Sequence, residues 1–354
     1  MITNHWYSKP CPIISSSAQQ AAKSRQANLT KPIGSLGELE TIAEQFAAWQ
    51  NTSNPTLEQV MIRVFAGDHG ICKQNVSAFP QEVTAQMVMN FLHGGAAISV
   101  LSDAANANFA VVTMGLSNPL PHISSNKLIQ HDIAKGTADF SQSPAMTPEQ
   151  MQQALTAGQN VIQSQVKNTK PIQLFIGGEM GIGNTTSASA IYAALLDISP
   201  ATTSGPGTGI NEAGVLHKAN VIEKALALHQ PTSAEETLQT LGGFEIAALV
   251  GAYISAAQQG IPSLIDGFIC TAAALIATQL NHSCRDWFIF AHQSAEPAHH
   301  HALKTLNAKP LLNIGMRLGE GSGSAVALPL IQTALLLHNK MATFEEASVT
   351  GQER

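Results

Sequence analysis

The sequence predicts an α/β fold, a mostly parallel sheet flanked by helices, on three observations. Short continuous apolar runs alternate with longer stretches of helical periodicity along most of the chain, the pattern of strands joined by crossover helices. The strand candidates are too apolar to face water, which suits a sheet covered on both faces. Glycine-rich polar segments follow the strands again and again, and in open parallel sheets ligands bind beyond the carboxyl ends of the strands.

Taken in order, the first 50 residues are helical. Ser35-Leu36-Gly37-Glu38 has the form of a capping box, and Leu36, Leu39, Ile42, Phe46 and Trp49 recur at helical spacing after it. Residues 61–66 are an apolar strand that ends in Gly67-Asp68-His69-Gly70. A helical stretch over 81–101 is interrupted by Gly94-Gly95, and 109–114 is the next strand. Residues 116–146 are irregular and rich in Ser, Asn and Pro, a length that in a compact domain points to a functional loop. Thr147 caps the following helix, with Pro148 in its first turn. Then come a strand over 173–176, a helix from Asn184, a Gly-rich loop over 204–210 and a helix over 211–229. Helix 243–259, strand 262–265, helix 268–280, strand 287–291 and helix 321–339 complete the pattern. The first helices and the last one are expected to pack together. This gives 1–60 and 326–354 as a small helical domain and 61–325 as the catalytic α/β domain.

Composition narrows the function. The 354 residues suffice for one large α/β domain or two smaller ones. With 44% hydrophobic and only 12% charged residues, much of the chain must be buried, in the fold or against another subunit. The net charge is −6 and the basic residues are scattered, which argues against nucleic acid as a partner. Segments 246–257 and 261–280 are apolar, but Pro262, Asp266 and Gly267 break the second into strand, turn and buried helix, so no membrane span is expected. Cys11, Cys72, Cys270 and Cys284 form no C-x-x-C pair and residues 1–10 hold no signal-type apolar core, which together point to the cytoplasm.

The candidate chemistry lies in the polar segments. Glu320 stands in Gly319-Glu320-Gly321-Ser322-Gly323-Ser324, ahead of an apolar helix. Glycine lets the chain approach a ligand closely, so a carboxylate framed in this way points at something. Gly181, Ile182, Gly183, Asn184, Thr185 and Thr186 follow a strand and open a helix. The segment reads as an anion cradle in which Asn184 or Thr185 can act as cap, or as a plain tight strand-to-helix turn. It is neither a Walker loop nor a G-x-G-x-x-G fingerprint. Gly205, Gly207 and Thr208 form a second wall, and Lys218 in the next helix can bring a positive charge to a phosphate or carboxylate. Glu179 and Glu320 make a carboxylate pair on two loops, and two carboxylates at one site push their pKa values apart. Asp68-His69 is readable as a catalytic dyad, a metal corner or a structural loop. His299-His300-His301 cannot all face one way on a helix and lacks ligand spacing, so no metal is expected there.

Taken together, several segments resemble the nicotinate-nucleotide–dimethylbenzimidazole phosphoribosyltransferase family nearly end to end. They are Lys31-Pro32-Ile33-Gly34-Ser35-Leu36-Gly37, Phe65-Ala66-Gly67-Asp68-His69-Gly70, Val76-Ser77-Ala78-Phe79-Pro80-Gln81-Glu82-Val83-Thr84, the 178–186 and 205–209 segments, and 314–323. Asn75 stands where the family pattern has glycine. The resemblance implies a Rossmann-like sheet with a small helical domain from the chain ends, a homodimer, and no metal or organic cofactor. It implies transfer of the phosphoribosyl group of nicotinate mononucleotide to 5,6-dimethylbenzimidazole, giving α-ribazole 5′-phosphate and nicotinate. Glu320 would be the base and Glu179 would stabilise an oxocarbenium-like ribosyl cation. The phosphate would sit on 181–186 and 205–209. Ser77, Phe79 and Gln86 would form the flat base pocket, with Met180 and Leu318 at its sides. Transfer to another base (adenine or a phenol) and a catalytically silent nucleotide sensor are the other readings open at this level.

Overall fold

The computed structural model describes residues 5–166, 170–207 and 209–350, with Val166 described for its backbone only. Six parallel strands form one sheet: β1 (Val60–Gly67), β2 (Asn108–Gly115), β3 (Leu128–Gln130), β4 (Leu174–Met180), β5 (Ser263–Ile265) and β6 (Phe288–Phe290). Their order is β3-β2-β1-β4-β5-β6. This is the doubly wound, Rossmann-type order, and it reverses between β1 and β4. The crevice beyond the carboxyl ends of those two strands is where such sheets bind ligands. All eight residues of β1 are buried. Arg63 is tolerated among them because its guanidinium donates to the Ile62 and Asn108 carbonyls at 2.8 and 2.6 Å and to Asn108 Oδ1 at 2.9 Å.

The helices cover both faces. The Phe244–Gln258 helix is buried along nearly its whole length, packed on β1, β4 and the Pro148–Val166 helix. The Pro148–Val166 helix opens on a true capping box: Gln150 N–H donates to Thr147 Oγ1 at 3.2 Å and Thr147 N–H donates to Gln150 Oε1 at 3.0 Å. The 261–280 segment divides as expected into β5, the Asp266-Gly267 turn and the Phe268–Leu280 helix. Among the described residues no helix is long and apolar enough to cross a membrane.

The Glu38–Gln50 helix packs on both the Ser16–Asn28 and the Ser322–Lys340 helices. Arg25 donates to the His338 carbonyl at 2.8 Å, and Gln26 lies 2.9 Å from His338 Nδ1. The same helices join the central core, where Trp49 stacks on Trp287 with ring centroids 6.1 Å apart.

Four local expectations are corrected. The Ser35 capping box does not form. Gly34 and Gly37 take positive φ (76° and 56°), so the helix starts only at Glu38, and Glu40 rather than Glu38 accepts the Leu36 N–H, at 3.0 Å. β4 runs on through Gly177-Gly178-Glu179-Met180, so Glu179 is a strand residue and not a loop residue. The irregular 116–146 stretch contains β3. Short helices at Pro200–Thr203 and Ala234–Leu241 also went unanticipated.

Candidate active site

The Gly319-Glu320-Gly321 turn has three successive left-handed residues, with φ of 91°, 65° and 87°. Such a run reverses the chain sharply, and glycine on either side is what permits it. The turn lies directly over β4. A Cβ on Gly178 would stand 2.1 Å from the Glu320 carbonyl oxygen, so this approach is open only to glycine. The Ser322–Lys340 helix starts immediately after it.

This backbone brings the Glu179 carboxylate to the Glu320 main chain and not to its carboxylate, so the expected carboxylate pair does not form a direct contact. Glu320 N–H donates to Glu179 Oε1 at 3.4 Å, and Asn184 Nδ2 donates to Glu179 Oε2 at 2.5 Å. The Glu320 carboxylate turns the other way and accepts Ile98 N–H, at 3.4 Å, from the first turn of the Ala97–Ala104 helix. Burial pushes Glu179 well above the usual carboxylate range; its bond to Asn184 opposes the rise and the charges of Asp266 and Glu245 add to it. Burial raises Glu320 too, with the Ile98 N–H opposing and Asp266 adding. Asp266, at the end of β5, is 1% exposed and accepts Gly321 N–H at 3.2 Å and Ser324 N–H at 2.8 Å.

A cavity of about 460 Å³ opens on this cluster. Of the residues predicted from sequence, its lining includes Glu179, Glu320, Phe79, Met180 and Leu318, together with Gly181, Ile182, Asn184, Thr185 and Gly207. Gly183 is the N-cap of the Asn184–Leu196 helix, at φ 97°. It offers no side-chain oxygen, so the expected Asn184 or Thr185 cap is absent and Asn184 is turned onto Glu179 instead. Several N–H groups at this helix start are already used: Ile182 N–H donates to Thr84 Oγ1 at 3.1 Å, Asn184 N–H to the Gly181 carbonyl at 2.9 Å and Thr186 N–H to the Gly183 carbonyl at 3.0 Å. Of the expected second wall only Gly207 lines the cavity; a Cβ there would lie 2.8 Å from Thr185 Oγ1.

Lys218 stands behind that wall, 1% exposed, and donates to the Gly205 carbonyl at 3.1 Å and Thr185 Oγ1 at 3.3 Å. Burial lowers its ammonium to about 8, partly offset by Glu296. Thr186 is fully buried and, like Gly205, stands outside the lining. Ser77 accepts the Phe79 N–H at 3.2 Å and Gln86 is exposed; neither lines the cavity. Thr208 lies outside the described residues.

The lining also holds residues that sequence reasoning passed over. Val83 and Met87, one helical turn apart, present the face next to Gln86. Phe268 and Ile269 supply apolar surface, and Glu296 and Arg317 supply charge. Asp266, read from sequence as a break in an apolar segment, and His292 also line the cavity. Asn75 takes φ 55°, the left-handed region that glycine favours and asparagine tolerates, so the residue that departs from the family pattern keeps the backbone.

The remaining histidine motifs are structural. His69 Nε2 lies 2.7 Å from Glu245 Oε1, both side chains fully buried, and Asp68 Oδ2 accepts the Ser117 N–H and hydroxyl. His299 accepts Ser294 N–H on Nδ1 at 2.7 Å and lies 2.8 Å from Thr271 Oγ1, and burial holds it down to about 3. Among the described residues no group of three or more His, Cys, Asp or Glu could hold a metal ion.

This arrangement presents a glycine-rich helix start and buried carboxylates to one cavity. The family model described as phosphoribosyltransferase matches residues 11–349. A nicotinate-nucleotide–dimethylbenzimidazole phosphoribosyltransferase from Pseudomonas fluorescens (strain SBW25) is 53% identical over 354 residues, 99% of each chain. The chain belongs to this family. The enzyme of the same name from Pseudomonas putida (strain F1 / ATCC 700007) is 51% identical over 99% of each chain. The crystal structure of CobT from Thermus thermophilus superposes with a TM-score of 0.89 at 40% identity, covering 94% of this chain and 99% of that one. The family's α/β architecture is therefore the fold described above.

Proposed function

We propose that this protein transfers the 5-phosphoribosyl group of nicotinate mononucleotide to 5,6-dimethylbenzimidazole, forming α-ribazole 5′-phosphate and nicotinate for the nucleotide loop of cobalamin. The observation that carries the proposal is the Glu320 carboxylate, held on a cavity wall by a turn of three left-handed residues, with the anion cradle on the same cavity. The relatives named for this reaction, alike over the whole chain, support the same reading.

The phosphate sits at the start of the Asn184–Leu196 helix, against Thr185 and Gly207, with Lys218 behind. The benzimidazole lies between Phe79, Val83, Met87, Met180 and Leu318. One ring nitrogen attacks C1′ as the C1′–N bond to nicotinate breaks, and that electron pair neutralises the departing pyridinium. The other ring N–H passes its proton to Glu320. Attack from the face opposite nicotinate inverts β to α. Burial keeps the Glu320 carboxyl above its ordinary range, which brings a base closer to the pH at which it works. A cationic ring or ribosyl centre in the cavity supplies the countercharge that Glu179 lacks, and favours its carboxylate form. The flat slot is selective for dimethylbenzimidazole over smaller bases by about 1–3 kcal/mol per missing methylene.

The same reading takes the protein as a homodimer, in keeping with the low charge content, and as cytoplasmic, in keeping with four free cysteines. It divides the chain into a small helical domain (1–60 and 326–354) and a catalytic domain (61–325), supported by the packing of the terminal helices on one another.

The test is nicotinate release from nicotinate mononucleotide, with and without dimethylbenzimidazole, for wild type and Glu320→Gln. Release should require the benzimidazole and fall by roughly 100- to 10,000-fold in the variant. The base must be ionised, so wild-type turnover should fall as pH drops through the raised Glu320 value, above the usual carboxylate range. Release only with adenine or a phenol would move the substrate. Tight nucleotide binding without release would make the protein a sensor. Near-wild-type turnover in Glu320→Gln would remove the base assignment.

A further inference from the structure

We infer that Asp266 is a positioning residue for the base: it holds the Gly319-Glu320-Gly321 turn by its backbone and thereby aims Glu320. The inference rests on the reading of Glu320 as general base. Asp266 makes no hydrogen bond to the Glu320 side chain. It accepts Gly321 N–H, one residue beyond Glu320, and Ser324 N–H in the first turn of the helix. Ser324 Oγ donates to the Leu264 carbonyl at 3.1 Å, so the end of β5 is tied to this helix start by side-chain bonds in both directions.

On the other flank, β4 fixes the same turn. Glu179 accepts Glu320 N–H, and Gly321 is packed so that its Cβ would lie 3.3 Å from Gly178 Cα. Two carboxylates on neighbouring strands therefore take successive N–H groups of one left-handed turn. The turn is closed within itself by Ser322, whose N–H and Oγ donate to the Gly319 carbonyl at 2.9 and 2.7 Å, and the two carboxylates take the Glu320 and Gly321 N–H groups that this closure leaves. His292 fits against Asp266, with Nε2 3.7 Å from Oδ1, in space left by Gly323, whose Cβ would be 2.0 Å from the His292 ring.

The charged and titratable groups that line the cavity with Glu320 are Glu179 from β4, Asp266 from the end of β5, Cys270 from the Phe268–Leu280 helix, His292 and Glu296 after β6, and Arg317 from its own loop. The helix that carries Val83 and Met87 faces the cavity with apolar groups. Asparagine at 266 has the shape of aspartate but turns an N–H₂ toward one of the two backbone donors, which releases one end of the turn. It also removes the charge that adds to the rise burial gives Glu320.

The experiment compares wild type, Asp266→Asn and Glu320→Gln in steady-state kinetics across pH. Asp266→Asn should lose on the order of 100-fold in kcat, the scale of a misplaced reacting group, with KM for the nucleotide almost unchanged. Its acid limb should move to lower pH, a shift that a merely structural role would not produce. Full kcat, a loss confined to KM, or a lowered kcat with an unmoved limb would each overturn the inference. Glu320→Gln separates the two claims: if it stays active, the base assignment itself has failed. If it collapses while Asp266→Asn is normal, only the role of Asp266 has failed. Should Asp266→Asn not fold, hydrogen exchange on ligand-free wild type decides: the Gly321 and Ser324 amides should be protected, and solvent-like exchange would overturn the inference.

Discussion

Replacing Gly178 by alanine should damage catalysis through a residue that never meets substrate. The added Cβ would stand 2.1 Å from the Glu320 carbonyl oxygen and 2.5 Å from its carbon, where 3.0 Å is the practical floor for a real Cβ. One side must give by about 0.9 Å. β4 is held by hydrogen-bonded neighbours on both sides, β1 and β5, so the Glu320 turn is the part that moves. A shift of ~1 Å in a reacting group costs on the order of 100-fold, equivalent to about 2.7 kcal/mol of barrier. The control is Gly177→Ala. Its Cβ points to the other face of the sheet and meets the side chains of Leu249 at 2.6 Å and Tyr253 at 2.9 Å. Both variants overpack the core, which costs roughly 1–3 kcal/mol of stability. Only Gly178→Ala should also lose kcat. The assay is nicotinate release at saturating substrates, with urea unfolding of each variant alongside. Equal kcat for the two variants would refute the claim that β4 sets the position of Glu320.

Two further predictions concern buried charge. Lys218 is held down to about 8 by burial and must be an ammonium to aid phosphate binding, so nucleotide affinity should weaken as pH rises through that value. Lys218→Met should lose about 10- to 100-fold in affinity, as expected for one charged hydrogen-bond donor, and the pH dependence with it; calorimetric titration at pH 7 and pH 9 checks both. His69→Ala leaves Glu245 buried and unpaired and should cost ~3–5 kcal/mol of stability in urea unfolding. His69→Leu with Glu245→Leu should be less destabilised than His69→Ala, because no isolated charge is then left inside.

The strand–helix alternation was legible because each strand is a short apolar run closed by glycine or a polar residue. β3 and β4 were the exceptions: β3 has only three residues, set in a stretch rich in Ser, Asn and Pro. Gly177-Gly178 reads as a loop because glycine is a poor strand residue, yet here the strand needs it. One face of those two positions is pressed by Leu249 and Tyr253 and the other by the Glu320 turn. Glu320 could be singled out from its glycine frame alone, since the feature is local. Glu179 and the cradle followed from the strand-to-helix turn. Which face of the Glu82–Leu92 helix meets the cavity depends on helix rotation against the sheet, so Gln86 was favoured where Val83 and Met87 line the site. Asp266 was visible as a polar residue after a strand. Its work, however, is done on Gly321 and Ser324, more than fifty residues later in the chain, a relation that no local pattern encodes. The burial of Lys218 is hidden for the same reason: its partners come from Thr185 and Gly205.

The left-handed backbone of Glu320 has a consequence for how this position can evolve. A side chain at φ 65° carries about 1–2 kcal/mol of conformational strain that glycine would not. Relief of that strain favours Glu320→Gly in any lineage that no longer needs the reaction, so selection for stability and selection for turnover pull this single codon in opposite directions. Under the role proposed for Glu320, the strain kept at this position is the cost of aiming the base.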